Sequence, residues 1–78
     1  MSYTCTIEMK NVMDKKVEGV TKIVQPNQGP ELGEKVIEGD ELISTRYNTS
    51  VDLFLYTNNS EYVIKKGEWI SLCMEKDS

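Results

Sequence analysis

Histidine is absent from this 78-residue chain, and it has only two prolines, two cysteines, one tryptophan and one phenylalanine. The missing histidine removes the commonest general base and the imidazole metal ligand. Cys5 and Cys73 stand far apart, and without His they cannot supply the usual four ligands of a zinc site. No G-x-S-x-G, phosphate-cradling glycine loop, H-E-x-x-H or C-x-x-C occurs. Adjacent carboxylates such as Asp40 and Glu41, if placed on a strand, point to opposite faces and share no substrate. These absences predict a protein that is not an enzyme and carries no cofactor and no metal. No apolar run approaches the roughly 20 residues that span a bilayer, and the start MSYTCTIEMK has neither a basic n-region nor an apolar h-region. The expectation is therefore a cytoplasmic protein without membrane contact. In that setting Cys5 and Cys73, in strand-like segments able to be neighbours in the fold, read as two reduced, buried thiols, with a disulfide closing the termini as the alternative. Asn48-Thr49-Ser50 and Asn58-Asn59-Ser60 match the glycosylation pattern but read as turns.

What is present is lean and acidic. Hydrophobic residues make up 38% and charged residues 28%, with a formal net charge of −4. A chain this short forms one domain and buries only about 60–65% of its unfolded surface, so its stability is modest or shared with a partner. The charge is uneven, because Glu31, Glu34, Glu38, Asp40 and Glu41 fall within eleven residues that hold a single lysine. That balance opposes general phosphate-backbone binding, which needs clustered Lys and Arg.

Apolar periodicity predicts a mainly β fold. Tyr3, Cys5, Ile7 and Met9 alternate with Thr4, Thr6, Glu8 and Lys10, which gives a first strand with one apolar face. Asn11–Lys16 turns the chain back into a second strand over Val17–Val24. There Gly19 interrupts the alternation and marks a bulge that brings Val17, Val20 and Ile23 or Val24 to one core. Gln25–Pro30 is the clearest break, a loop through which no ladder is expected to run. Val36–Ile43 resembles the glycine turn of small barrels, with Gly39 at positive φ. Glu41–Asn48 then reads as a strand. The predicted organisation is an N-terminal hairpin (1–24), a Pro/Gly loop (25–35), a β-meander (36–74) and a tail (75–78).

Val51–Met74 carries most of the aromatic mass and predicts a three-stranded meander. A two-residue type I′ turn at Asn58-Asn59 sets Leu55 opposite Tyr62, Leu53 opposite Ile64, Phe54 opposite Val63 and Asp52 opposite Lys65. A slip of one residue scrambles all four pairs, so their agreement fixes the register. A second tight turn at Lys66-Gly67 pairs Lys65 with Glu68, Ile64 with Trp69 and Val63 with Ile70. The central strand then carries apolar side chains on both faces. That implies a curled barrel, a covering segment or an interface. The whole reads as a small antiparallel sheet of about six strands, curled into a barrel of SH3-like or OB-like size.

A fold with this content points to a non-catalytic protein-binding module. The class that fits is a small acidic inhibitor of phage or mobile-element type, blocking a host defence or a nucleic-acid-binding enzyme. Its contacts are Glu31, Glu34, Glu38, Asp40 and Glu41 toward a basic partner, with Tyr47, Tyr56, Tyr62 and Trp69 as aromatic anchors. A second reading is a nucleic-acid-binding barrel in which aromatics stack on bases. A third is an oligomer that sequesters a nucleotide or other small ligand.

Overall fold

The computed structural model describes residues 2–27 and 33–77. Six strands and one helical turn follow in chain order: β1 (Tyr3–Met9), β2 (Lys15–Pro26), β3 (Glu34–Glu38), α1 (Glu41–Ser44), β4 (Leu53–Thr57), β5 (Glu61–Ile64) and β6 (Trp69–Lys76). All pairings are antiparallel, and the strand path runs β5-β4-β2-β1-β6 with β3 also on β2. The two ends of that path do not pair, so the sheet is open rather than closed into a barrel.

The first hairpin follows directly from its alternation. Tyr3, Cys5 and Ile7 are buried while Thr6 and Glu8 face water. β2 is the organising strand because both of its edges are used. Val20 pairs with Tyr3 on one side and Thr57 on the other, and Lys22–Val24 pair with both β3 and β4. β1 and β3 thus lie end to end along one edge of β2, with β4 on the opposite edge.

Two bulges in β2 explain its uneven apolar spacing. Between Tyr3/Cys5 and Val20/Val17 the strand carries one extra residue, and a second irregularity falls between Val20 and Lys22 against β4. Gly19 serves the first with φ +73°, a conformation that β-carbons disfavour. Each bulge resets the face, so residues three apart, Val17, Val20 and Ile23, all enter the core. Val24 falls on the other face.

The predicted break at Gln25–Pro30 begins later than expected, and residues 28–32 lie outside the described residues. The ladder continues through Gln25 and Pro26, which pair with Lys35 and Glu34. Pro26 is the last residue of its strand, where the missing N–H costs the ladder least. β3 itself was not expected. Its five residues fall where the sequence suggested the end of a loop and the start of a turn.

The strand predicted over Glu41–Asn48 is a correction. Gly39 does take positive φ, at +61°, but it leads into a single helical turn. Leu42 N–H donates to the Gly39 carbonyl at 3.0 Å, Ile43 to Asp40 at 3.2 Å and Thr45 to Glu41 at 2.9 Å. The segment closes its own backbone hydrogen bonds, packs against β3 and β6, and inserts Leu42 fully into the core. Tyr47 Oη then donates to the Leu42 carbonyl at 2.8 Å. Asn48 is held by Gln25, whose Nε2 donates to its carbonyl at 2.9 Å and whose Oε1 accepts its N–H at 3.1 Å.

The β4-β5 hairpin has the expected register: Leu53–Ile64, Phe54–Val63 and Leu55–Tyr62 are partners. Its turn is not type I′, because no non-glycine residue among those described has positive φ. Thr57 Oγ1 instead accepts the Asn59 and Ser60 N–H groups at 3.3 and 3.0 Å. The third strand of the predicted meander leaves the hairpin. Lys65–Glu68 close a turn with a 3.2 Å bond and Gly67 alone at positive φ, +82°, which is a type II geometry. Such turns splay flanking strands instead of pairing them. β6 accordingly crosses to β1, where Cys5 meets Met74, Ile7 meets Leu72 and Met9 meets Trp69. The pairs Ile64–Trp69 and Val63–Ile70 do not form.

One core cluster results, on one face of the coiled sheet. It gathers Tyr3, Cys5, Ile7, Val17, Val20, Ile23, Ile37, Leu42, Leu53, Leu55, Ile64 and Trp69. No helix among the described residues is long and apolar enough to cross a membrane.

Candidate functional site

The face of the sheet opposite the core is built by the same ladders. β3, β2, β4 and β5 run side by side, and their register aligns Val36, Val24, Phe54 and Val63 in one row. Alternation sends these four away from the core while Ile37, Ile23, Leu55 and Ile64 point into it. Val24, central in the sheet, is only 6% exposed, whereas Val36 and Val63 on the flanking strands are 49% and 44% exposed. Phe54 is half-buried between them.

A second row runs parallel to the first: Glu38, Lys22, Tyr56 and Glu61. Lys22 Nζ sits 4.6 Å from the centroid of the Tyr56 ring, a cation–π contact that fixes both side chains. Burial of the Tyr56 phenol, with the nearby Glu61 and Glu34 carboxylates, raises its pKa. On the other side of the apolar row stand Glu34 and Pro26, which are partners, and Asp52. Asp52 Oδ1 accepts the Lys66 backbone N–H at 2.8 Å. The expected Asp52–Lys65 pairing is thus replaced by a side-chain cap on the following turn. The surface is an apolar stripe bordered by carboxylates, with one cation held over an aromatic ring.

The residues singled out from sequence distribute unevenly over this geometry. Glu34, Glu38 and Tyr56 come together on the outer face. Asp40 and Glu41 are exposed at the β3–α1 connection, where Asp40 Oδ1 accepts a 3.1 Å hydrogen bond from Tyr3 Oη. Glu31 lies outside the described residues. Tyr47 and Tyr62 are half-buried and pack against the core. The Lys15 ammonium covers the Tyr62 ring at 5.2 Å. Trp69 is 1% exposed and belongs to the core, so it is no surface anchor. Its removal from the surface follows from the β6 crossover, which lays it across from Met9.

Sequence reasoning missed Val24, Val36 and Lys22 as members of this face. The signal available was the Phe54–Val63 pair, which already showed apolar side chains on a second face. What hid the rest was β3, whose pairing to β2 is needed to bring Val36 beside Val24.

The two cysteines are on neighbouring strands, as expected, yet not both buried. Cys5 is in the core and Cys73 is exposed opposite Thr6. Alternation puts the two thiols on opposite faces, and both are free. Burial pushes the Cys5 thiol up to about 12. Among the described residues no group of three or more His, Cys, Asp or Glu converges to hold a metal ion. Comparison with protein-family models, with curated proteins and with solved structures found no match.

Proposed function

We propose that this chain is a non-catalytic protein-binding module that docks through the outer face of its sheet onto a partner with a basic surface. The observation that carries the reading is the row Val36–Val24–Phe54–Val63, an apolar strip with no covering element among the described residues, bordered by Glu34, Glu38 and Glu61. An apolar centre with a charged rim is the common anatomy of protein interfaces. The carboxylates steer the encounter and the apolar row supplies the desolvated contact. An inhibitor that occupies the basic groove of a nucleic-acid-binding enzyme is the finer form of this proposal.

The experiment immobilises three forms of the protein: wild type, Phe54→Ser, and the triple variant Glu34→Lys/Glu38→Lys/Glu61→Lys. A partner is accepted only if both variants lose it while keeping the wild-type circular dichroism spectrum. Its affinity for the wild type is then expected to fall as salt rises from about 50 to 300 mM. Equal capture by all three forms overturns the proposal.

The Lys22–Tyr56 contact beside Phe54 supports a second reading, binding of single-stranded nucleic acid by stacking. The bordering carboxylates oppose it. Tyrosine and tryptophan fluorescence unchanged by short oligonucleotides at low salt excludes it.

A further inference from the structure

Arg46 is the only arginine of the chain and Trp69 its only tryptophan. The fold brings both to the walls of one groove of about 330 Å³. One wall is the segment 45–49 that follows α1, and the other is the start of β6, residues 69–72. Tyr47 Oη, donating to the Leu42 carbonyl at 2.8 Å, ties the first wall to the helical turn. A bulge shapes the second: Glu8 faces Ser71 and Met9 faces Trp69, so Ile70 is the extra residue and is 48% exposed while Trp69 stays in the core.

No side chain lining this groove is anionic. Two smaller cavities, of about 280 and 260 Å³, each have a carboxylate in the wall, Asp52 in one and Glu68 in the other. In a chain of net charge −4 the contrast points to an anionic occupant. Arg46 is exposed and has no ion pair or hydrogen bond with any described residue. The Thr45 and Thr49 hydroxyls line the same wall and are also without a partner among the described residues. Trp69 Nε1 is buried and has no acceptor among them either, which is rare for a buried polar atom. The Ser71 hydroxyl is engaged on the sheet face opposite the core, where it donates to Glu8 Oε2 at 3.1 Å. This side of the fold is therefore rich in donors and short of acceptors.

We propose that the groove binds a small organic anion, its carboxylate or phosphate oxygens on Arg46 and its apolar body against Ile70 and Leu72. A guanidinium presents a planar fork of N–H donors that matches either oxyanion in bidentate fashion. The two threonine hydroxyls add donors that rotate to suit the bound oxygens. A volume of about 330 Å³ is at the lower end for small-ligand pockets, so the occupant has the size of a mononucleotide or an aromatic acid. The outer face of β3, β2, β4 and β5 takes no part in this site.

Calorimetry and Trp69 fluorescence test this, with benzoate, adenosine 5′-monophosphate and inorganic phosphate titrated at constant ionic strength. Saturable binding of at least one organic anion is expected, with Kd of about 0.1–1 mM. The tighter of the two tells a carboxylate from a phosphate ligand. Inorganic phosphate, which lacks an apolar body, is expected to bind at least about fivefold more weakly. Arg46→Gln is expected to weaken binding about tenfold or more, and Arg46→Lys about threefold, because lysine keeps the charge and loses the fork. Ile70→Ser is expected to weaken the organic anion about threefold and to leave inorganic phosphate unchanged. Arg46 is exposed and Ile70 half-exposed, so all three variants are expected to keep the wild-type circular dichroism spectrum. No saturable binding of either organic anion up to about 10 mM overturns the proposal. So does equal affinity for Arg46→Gln, or adenosine and benzyl alcohol bound as tightly as their charged counterparts. Phe54→Ser is expected to retain the binding, which separates failure of this site from failure of the outer-face reading.

Discussion

Among the described residues Gln25 is the one buried polar side chain, and it acts as a strand partner in side-chain form. Its amide offers one donor and one acceptor, and both engage the backbone of Asn48. This fixes an extended segment that has no ladder of its own. Replacing it with leucine is expected to destabilise the protein by about 1–3 kcal/mol, as for a buried pair of hydrogen bonds lost together, measured by urea unfolding. The cysteines give a second prediction. Under native conditions at pH 8 a thiol reagent is expected to label Cys73 and leave Cys5 unmodified, read by mass spectrometry, because only the thiolate reacts and Cys5 is buried with its pKa near 12. The same shift sets an alkaline limit. A raised folded-state value means the neutral thiol stabilises the fold fully below its ordinary value of 9.0, and that contribution is lost as pH rises toward 12. Tyr47 and Tyr3, both raised by burial, add to it in the same direction. Unfolding midpoints are expected to drop steadily above about pH 9, and substituting Cys5 with Ala should flatten part of that slope.

At the level of elements, the decisive one is the turn before β6. A type II turn with Gly67 at φ +82° ends the hairpin and releases Trp69 toward β1. Gly67→Ala is therefore expected to cost about 1 kcal/mol or more, since alanine disfavours that φ, with the loss visible in thermal unfolding. Nothing crowds a β-carbon there, so the cost is conformational rather than steric. The alternation of β1 and three of the four expected pairs of β4 with β5, Leu53–Ile64, Phe54–Val63 and Leu55–Tyr62, were legible because local period-two patterns and a two-residue turn define them. β6 was legible as a strand but not in its partner. Its sequence pairs apolar residues equally well with β5 or β1, and only the turn geometry distinguishes them. The 41–44 helical turn was illegible for a related reason. Leu42, Ile43 and Tyr47 fit a strand pattern, but in the fold the segment closes its own backbone hydrogen bonds and buries Leu42 in the core.

For the molecule as a whole, the open sheet leaves the outer face and the β6 edge uncovered by any strand among the described residues. The outer face tests the proposed function. Val36→Lys and Val63→Lys, at half-exposed positions away from the core, are expected to change stability by less than about 0.5 kcal/mol while abolishing partner capture. Stability is followed by denaturant titration and binding by calorimetry with the captured partner. Failure of binding with intact stability separates a contact role from a folding role. The acidic residues of the 31–41 stretch reach this face only in part. Glu34 and Glu38 border it because β3 is a strand, whereas Asp40 and Glu41 follow the chain into α1.

By itself the sequence determined the class of fold, the first hairpin, the bulge at Gly19 and the register of β4 with β5. All of these rest on side-chain alternation and on contacts between segments close in the chain. Tertiary structure alone decided that β6 joins β1, that β3 extends the sheet beside β2, and that Trp69 is core instead of surface. These depend on which edge remains open once the earlier strands have paired, a property of the assembled sheet and not of any one segment. The outer apolar row belongs to both. Phe54 and Val63 are matched by local register, while Val24 and Val36 join them only because β2 holds a strand on each of its edges.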